Sequence, residues 1–396
     1  MAEVRVEQLT KTFPSKPPVV AADALDLTIE DGEFLVLLGP SGCGKTTTLR
    51  CLAGLEEPDS GRILFDGAAV FDGASGRNLS PDRRSIGMVF QSYALWPHLS
   101  VRRNIEYPLR ARKLKQGLKD DWAGEVAELV DCGHLLDRLP GQLSGGQQQR
   151  IALARGLVAR PDLVLFDEPL SNLDAKLRDQ VRAQLHELHV RLGFTAVFVT
   201  HDQSEAFALA DRIVILNAGR IEQCDTARRT WHAPVSDYVA SFIGMSNRIT
   251  MERTGTGWSL GEHHSEGAEI PVPRGVDRMA ARLRPSDVTL ARPEEPAPRD
   301  CVQLPGRFVA ATFAGDQLDA VVRVDGQRLL ARCPLDGGRS WLDGLEDGAP
   351  VSVRFQPQAA RYFDLEGGHD VGDPGPEAAV DVPALTSGEA LTRGPA

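Results

Sequence analysis

The stretch GPSGCGKTT, Gly39 to Thr47, restricts the possible folds of this chain more than any other. It fits G-x-x-x-x-G-K-[ST] and lies between an apolar run, EFLVLL, and a segment with helical spacing, TTLRCLAGL. Such a loop functions only where a buried strand ends and a helix begins. Its glycines let backbone N–H groups turn inward around phosphate oxygens, and the helix behind it presents its positive end. Gly39, Pro40, Ser41, Gly42, Cys43 and Gly44 would form the cradle. Lys45 would bring charge to the β- and γ-phosphates, Thr46 a hydroxyl ligand for Mg²⁺, and Thr47 a further donor for the α-phosphate. The expectation is an α/β nucleotide-binding fold.

Two more apolar runs extend this expectation: DLVLFDEP (162 to 169) and TAVFVTHD (195 to 202). Continuous apolar runs suit strands buried on both faces, and open α/β sheets bind ligands at the carboxyl ends of their strands. Asp167 is then placed to hold a Mg²⁺ shell. Glu168, adjacent but outside that shell, suits the role of base or positioning group for an attacking water. His201 reaches the same edge, where an imidazole can hydrogen-bond a γ-phosphate. A further run, RIVILNAGRI, ends in a turn and reads as an antiparallel pair at the sheet edge.

With 396 residues two domains are expected. The net charge of −11 argues against a general nucleic-acid binder, so no nucleic-acid partner is expected. The longest apolar runs are strand-sized, which leaves any membrane role to a partner. The six cysteines form no C-x-x-C pair and read as free thiols of a reducing cytosol.

Through about residue 235 the pattern alternates apolar runs with helical segments, as in βαβ units. From about 92 to 158 strand signals vanish and helical periodicity takes over, as in WAGEVAELVDCGHLL, which implies a helical subdomain. Within it LSGGQQQR (143 to 150) opens a helix whose Ile151, Ala154, Leu157 and Val158 share one face. From 236 to about 365 short alternating strands appear, with a hairpin signal at Asp325-Gly326 and Val351, Val353 and Phe355 on one face of PVSVRFQP. This reads as a small all-β, OB-like barrel. The segment 366–396, rich in Gly, Pro and acidic residues, reads as a disordered tail.

Over residues 3 to about 240 the chain resembles the ATP-binding cassette family. The resemblance is carried by GPSGCGKTT (Walker A), Gln91 in VFQSYALWPHLSV (Q-loop), Leu143-Ser144-Gly145-Gly146-Gln147 (signature), LVLFDEP (Walker B with Glu168), SNLD ending in Asp174 (D-loop) and His201 (switch histidine). It implies ATP and Mg²⁺ as cofactors, Gln91 beside Thr46 and Asp167 at the metal, and Phe13 stacked on adenine. Proline-rich residues after Phe13 depart from the family pattern. LSGGQ has glycines and a helix start but no lysine, so it suits completing a phosphate site better than founding one. In the family it caps the ATP of a second copy, which makes the chain a homodimer with Ser144, Gly145 and Gly146 acting in trans.

QSYALWPHLSV, DEPLSNLDAKLR, THDQSEAFALADRI and, further on, RLRPSDVTL resemble importer ATPases that carry an OB-like (TOBE) regulatory domain. That resemblance implies two integral-membrane permease subunits, an extracytoplasmic solute-binding protein, and a place on the inner face of the cell membrane. Tyr93, Leu95, Trp96 and Pro97 would wall the groove for a permease helix. Polyamine or iron(III) uptake is slightly favoured, with a maltose-like sugar importer bearing a regulatory binding module as the alternative. Cassette ATPases of DNA repair or translation would need coiled-coil arms, zinc hooks or a second cassette, and exporters usually fuse the membrane part. An oligonucleotide-binding role for the OB-like segment is disfavoured by few aromatics and no lysine after Lys176.

Overall fold

Alternation of buried and exposed residues begins at the first strand, where Val4, Val6 and Leu9 point into a core and Arg5 and Gln8 do not. The computed structural model describes residues 3–254, 257–260, 263–264, 276–298, 301–335 and 340–365. The chain divides into two units, Met1–Ser246 and Asn247–Ala396. The expected tail, 366–396, lies outside the described residues.

In the first unit β1 (Val4–Phe13) and β2 (Val19–Ile29) precede β3 (Phe34–Leu38), which runs into the glycine loop and α1 (Lys45–Ala53). β4 (Ser60–Phe65), β5 (Ala68–Asp72), β6 (Arg77–Asn78) and β7 (Ile86–Val89) follow. Next come α2 (Val101–Ala111), α3 (Lys115–Lys119), α4 (Trp122–Leu129) and α5 (Gly145–Leu157), the helical stretch. β8 (Leu163–Asp167), α6 (Ala175–Leu192), β9 (Thr195–Thr200), α7 (Gln203–Leu209), β10 (Arg212–Asn217), β11 (Arg220–Thr226), α8 (Ala227–His232) and α9 (Asp237–Phe242) complete the unit.

One sheet has the order β11-β10-β3-β9-β8-β7, all parallel except β11, which lies antiparallel at the edge. The edge strand of the RIVILNAGRI hairpin is therefore β11, while β10 sits inside the sheet against β3. A second sheet, β2-β1-β4-β5-β6, is antiparallel and was not anticipated from the sequence. It explains why β3 is apolar throughout. Phe34, Val36 and Leu38 face a core shared with α2, α4, α5 and α6, while Leu35 and Leu37 face a second core built with α1 and the antiparallel sheet.

On α4 the buried line is Ala123, Ala127 and Val130, with Val126 and Leu129 only flanking it. The division between units falls at Ser246, later than the expected 235, because Val239, Ala240 and Ile243 on and just after α9 are buried in the first unit's core.

The second unit is all-β. It comprises β12 (Asn247–Thr254), β13 (Gly257–Leu260), β14 (His263–His264), β15 (Arg278–Leu283), β16 (Thr289–Ala291), β17 (Val302–Phe313), β18 (Gln317–Val324), β19 (Gln327–Pro334), β20 (Pro350–Phe355) and β21 (Arg361–Asp364). Two five-stranded sheets, β14-β13-β12-β15-β21 and β16-β20-β17-β18-β19, enclose one core that includes Phe308, Phe355 and Tyr362. The outer strands β16 and β19 come back into contact, so the second sheet curls. The Asn247 side chain joins β12 to β19, donating to Leu330 O at 2.8 Å and accepting from Leu330 N at 2.7 Å. The hairpin falls at Asp325-Gly326, both at positive φ (44° and 76°), as a two-residue turn of this twist requires.

Candidate nucleotide site

The register of the parallel sheet aligns the ends of three strands. Leu38 pairs with Thr200, and Asp167 with Val199, so Gly39, Glu168 and His201 all emerge at one edge. The glycine loop is tightly constrained there. A Cβ on Gly39 would lie 2.4 Å from Leu216 O of β10, and one on Gly44, at φ 107°, would lie 1.9 Å from Ala21 O of β2. No other residue fits either place without moving backbone. Pro40, Ser41 and Gly42 are exposed at the loop's tip, while Cys43 is buried. Lys45 is 4% exposed and folds back on the loop, donating to Gly39 O at 2.7 Å and Pro40 O at 2.9 Å. Its ammonium is thus held inside the ring of backbone that would surround a phosphate. Thr46 and Thr47 are half-buried in the first turn of α1.

Thr46 Oγ1 donates to Asp167 Oδ1 at 3.3 Å, which brings the two oxygen groups of the expected metal shell together. Burial pushes the Asp167 carboxyl above its ordinary range, and the Thr46 hydrogen bond offsets part of that. A divalent cation at these oxygens would favour the ionised form, so the residues fit Mg²⁺.

One residue on, Glu168 sits at φ 45°, an unusual conformation for a non-glycine that turns it out of the strand. Its backbone N donates to Val199 O at 3.2 Å, and Ser171 Oγ donates to its carbonyl at 2.9 Å. Its Oε2 lies 3.1 Å from His201 Nδ1. Behind His201, Thr200 Oγ1 donates to the buried Glu205 at 2.6 Å and accepts from Asp202 N at 2.9 Å, fixing the start of α7.

Gln91 is exposed after β7, and its carbonyl accepts from Asn172 Nδ2 at 2.9 Å, tying it to the loop that ends in Asp174. Asp174 itself caps α6, accepting from Leu177 N at 3.0 Å. Ser144 caps α5 in a reciprocal box. Gln147 Oε1 accepts from Ser144 N at 2.9 Å and Ser144 Oγ from Gln147 N at 3.4 Å. Leu143 is buried and anchors the turn, Gly146 leaves room for Leu177, and Ser144 and Gly145 are exposed. Phe13 is half-buried at the end of β1 opposite Val19, which is two residues, about 7 Å, along β2 from the Ala21 carbonyl that touches Gly44.

Two supporting residues escaped sequence reasoning. Arg155, nearly buried on α5, donates to Ala94 O at 2.5 Å and Tyr93 O at 2.7 Å, fastening the segment after Gln91 to the signature helix. Asn104, fully buried on α2, accepts from Trp96 N at 2.8 Å and donates to Trp96 O, Leu99 O and Ser100 O at 3.0–3.1 Å. It presents Trp96 at the surface beside Tyr107, ring centroids 5.8 Å apart. The signal for Arg155 was present: a charge among the apolar residues of one helical face.

A strand-loop-helix phosphate cradle, with carboxylates from a parallel strand at the same edge, defines the class: a P-loop nucleoside-triphosphatase. The family model for ABC transporters matches residues 22–171, and that for the TOBE domain residues 281–363. The sn-glycerol-3-phosphate import ATP-binding protein of Rhizobium johnstonii is 42% identical over 94% of this chain and 97% of its own length. The spermidine/putrescine import ATP-binding protein of Acidothermus cellulolyticus is 41% identical over 86% and 91%. The solved structure of cbiO1 from Clostridium perfringens, part of an ABC transporter complex, aligns with a TM-score of 0.52 at 27% identity, over 58% of this chain and 90% of that one. The chain belongs to the ATP-binding cassette family, as an ATP-binding, ATP-hydrolysing import subunit with a carboxyl-terminal TOBE domain.

Proposed function

We propose that this chain works as a homodimer on the cytoplasmic face of a membrane, where Mg²⁺-dependent ATP hydrolysis drives two permease subunits fed by an extracytoplasmic solute-binding protein. Among the described residues no helix is long and apolar enough to cross a membrane, in keeping with separate permeases. Phe13 stacks on adenine. The Gly39–Gly44 backbone, Lys45 and Thr47 hold the phosphates, and Thr46, Asp167 and Gln91 would hold Mg²⁺, which when bound would neutralise charge on the phosphate oxygens. Glu168 orients and deprotonates the attacking water. His201 keeps Glu168 in place and contacts the γ-phosphate. Leu143, Ser144, Gly145, Gly146 and Gln147 complete the partner copy's site, with Asp174 shaping the loop beside it.

ATP shared between two copies closes the dimer, and its hydrolysis releases it, which is a population shift by differential affinity. The permease helix docks on Tyr93, Leu95, Trp96 and Pro97, beside the Gln91 segment that senses nucleotide. The relatives named above import a phosphate ester and a polyamine at nearly equal identity. What they share with this chain is therefore ATP chemistry, and the cargo is chosen by the permease and the binding protein.

The observation that carries this reading is the Glu168–His201 contact one residue beyond the Thr46–Asp167 contact. The test is Glu168→Gln. The variant is expected to bind ATP and to elute as a nucleotide-loaded dimer in size-exclusion chromatography, with turnover reduced about 10²–10⁴-fold. Rapid turnover by this variant contradicts the role given to Glu168.

A further inference from the structure

Two helices of the first unit begin beside the nucleotide site, and one side chain spans their starts. Arg178 lies in the opening turns of α6, with its backbone N donating to Asp174 O at 2.9 Å. Its Nη2 donates to Leu173 O at 3.2 Å, inside the loop that ends in Asp174. Its Nη1 donates to Asp202 Oδ2 at 3.3 Å, one residue after His201. Its Nε lies 3.8 Å from Oε1 of Glu205, which is 3% exposed. One guanidinium thus joins the loop before α6 to the residue that opens α7.

Neither helix start needs this bridge. Asp174 already caps α6, and Asp202 caps α7 with its other oxygen, Oδ1, which accepts from Ser204 N at 2.7 Å and Glu205 N at 3.3 Å. The Arg178 Nε is buried without a hydrogen bond, so the side chain is held where its own bonding is incomplete. What the bridge adds is a fixed separation between two loops.

Both loops reach Glu168. Before α6, Ser171 Oγ donates to Glu168 O and Asn172 Nδ2 to Gln91 O, both at 2.9 Å. Before α7, Thr200 Oγ1 donates to Glu205 Oε2 at 2.6 Å, and His201 Nδ1 lies 3.1 Å from Glu168 Oε2. Glu168 is therefore held from two sides, by the 171–174 loop at its carbonyl and by His201 at its carboxylate. Arg178 ties those two sides together.

We propose that Arg178 is a positioning residue for ATP hydrolysis. It sets His201 against Glu168 according to where the 171–174 loop lies, so that a shift of the loop is passed to the histidine through Asp202 and Thr200. The proposal rests on the reading above that His201 acts with Glu168. Arg178 works through that histidine and not on the nucleotide, so ATP binding at the glycine loop does not depend on it.

The test uses the full chain. Asp202→Asn keeps the capping oxygen and turns the one facing Arg178 into a donor, while Arg178→Lys keeps the charge but cannot span Leu173 O and Asp202. Each is expected to lower kcat about tenfold, with the KM for ATP within about twofold and a melting temperature close to that of the wild type. Arg182→Lys is the control: Arg182, one turn further along α6, donates to Ser204 Oγ of α7 at 3.3 Å and, among the described residues, makes no hydrogen bond to the 171–174 loop, so kcat should not change. In the ¹³C-histidine-labelled chain, the His201 ring resonance, assigned with His201→Gln, should move in Arg178→Lys and stay in place in Arg182→Lys. The proposal is overturned if kcat holds in both bridge variants, if Arg182→Lys lowers it equally, or if the His201 resonance does not move in Arg178→Lys. Rapid hydrolysis by Glu168→Gln would instead remove the catalytic reading, and the His201 resonance would still report whether Arg178 positions the ring.

Discussion

The metal role proposed for Asp167 and its burial pull its carboxyl in opposite directions. To hold a cation as proposed it would have to be ionised, yet the end of β8 where it sits is desolvated, and burial holds its proton on above the ordinary range. Because the folded pKa is raised, the folded state binds more protons than the unfolded state across the window between the two pKa values. Stability therefore falls as pH rises through that window, and the cost is fully present above it. Asp167→Asn removes the charge while keeping an oxygen for Thr46. We expect it to raise the melting temperature of the nucleotide-free chain at pH 7.5, with the gain shrinking as pH drops into the carboxylate range. The same variant should lose Mg²⁺-dependent turnover. Calorimetric melts across pH check the first part, and an unchanged or lower melting temperature at pH 7.5 contradicts it.

At the scale of elements, α5 links what the chain separates by some sixty residues. Tyr93 and Ala94 both adopt positive φ (60° and 50°), costly for side chains with a Cβ, and their carbonyls are held by the Arg155 fork. Arg155 is thus a positioning residue between the Gln91 segment and the signature. Arg155→Lys keeps the charge but loses the fork. It should leave the KM for ATP within about twofold and lower kcat about tenfold, since the glycine loop is untouched while the groups needed only for turnover lose register. Steady-state kinetics read this split, and an equal loss in KM would point to general unfolding instead. Such links mark where sequence reading stops. The glycine loop, β3, β8, β9 and the capped start of α5 were legible because each is specified by residues adjacent in the chain. The antiparallel sheet was not, because β1 pairs with β4 across two intervening strands, a loop and a helix, and neither strand names its partner. α9 is a helix on either side of a boundary, and only the core receiving Val239 and Ile243 assigns it to the first unit.

At the scale of the whole molecule, the open question is why one chain carries two glycine-rich helix starts. Lys45 lies inside the first loop, whereas the signature has no lysine, and its exposed Ser144 and Gly145 leave a helix N-terminus facing outward. Among the described residues no hydrogen bond joins Gly39–Thr47 to Leu143–Gln147. The two-fold dimer proposed above would resolve this, since patch i of one copy would then meet patch j of the other and the pairing would be reciprocal. The consequence is a complementation that a self-contained site could not show. Ser144→Arg blocks the signature and spares the loop, and Lys45→Ala does the reverse, so each variant alone has both composite sites broken. In a mixed dimer one site draws its loop from the first chain and its signature from the second, and is intact. Equal mixing should therefore restore roughly a quarter of the wild-type trapped nucleotide, from half of the dimers with one good site each. Nucleotide trapping on filters measures it. If each chain completed its own site, the mixture would stay as inactive as its components, and the dimeric reading of the signature would fall with it.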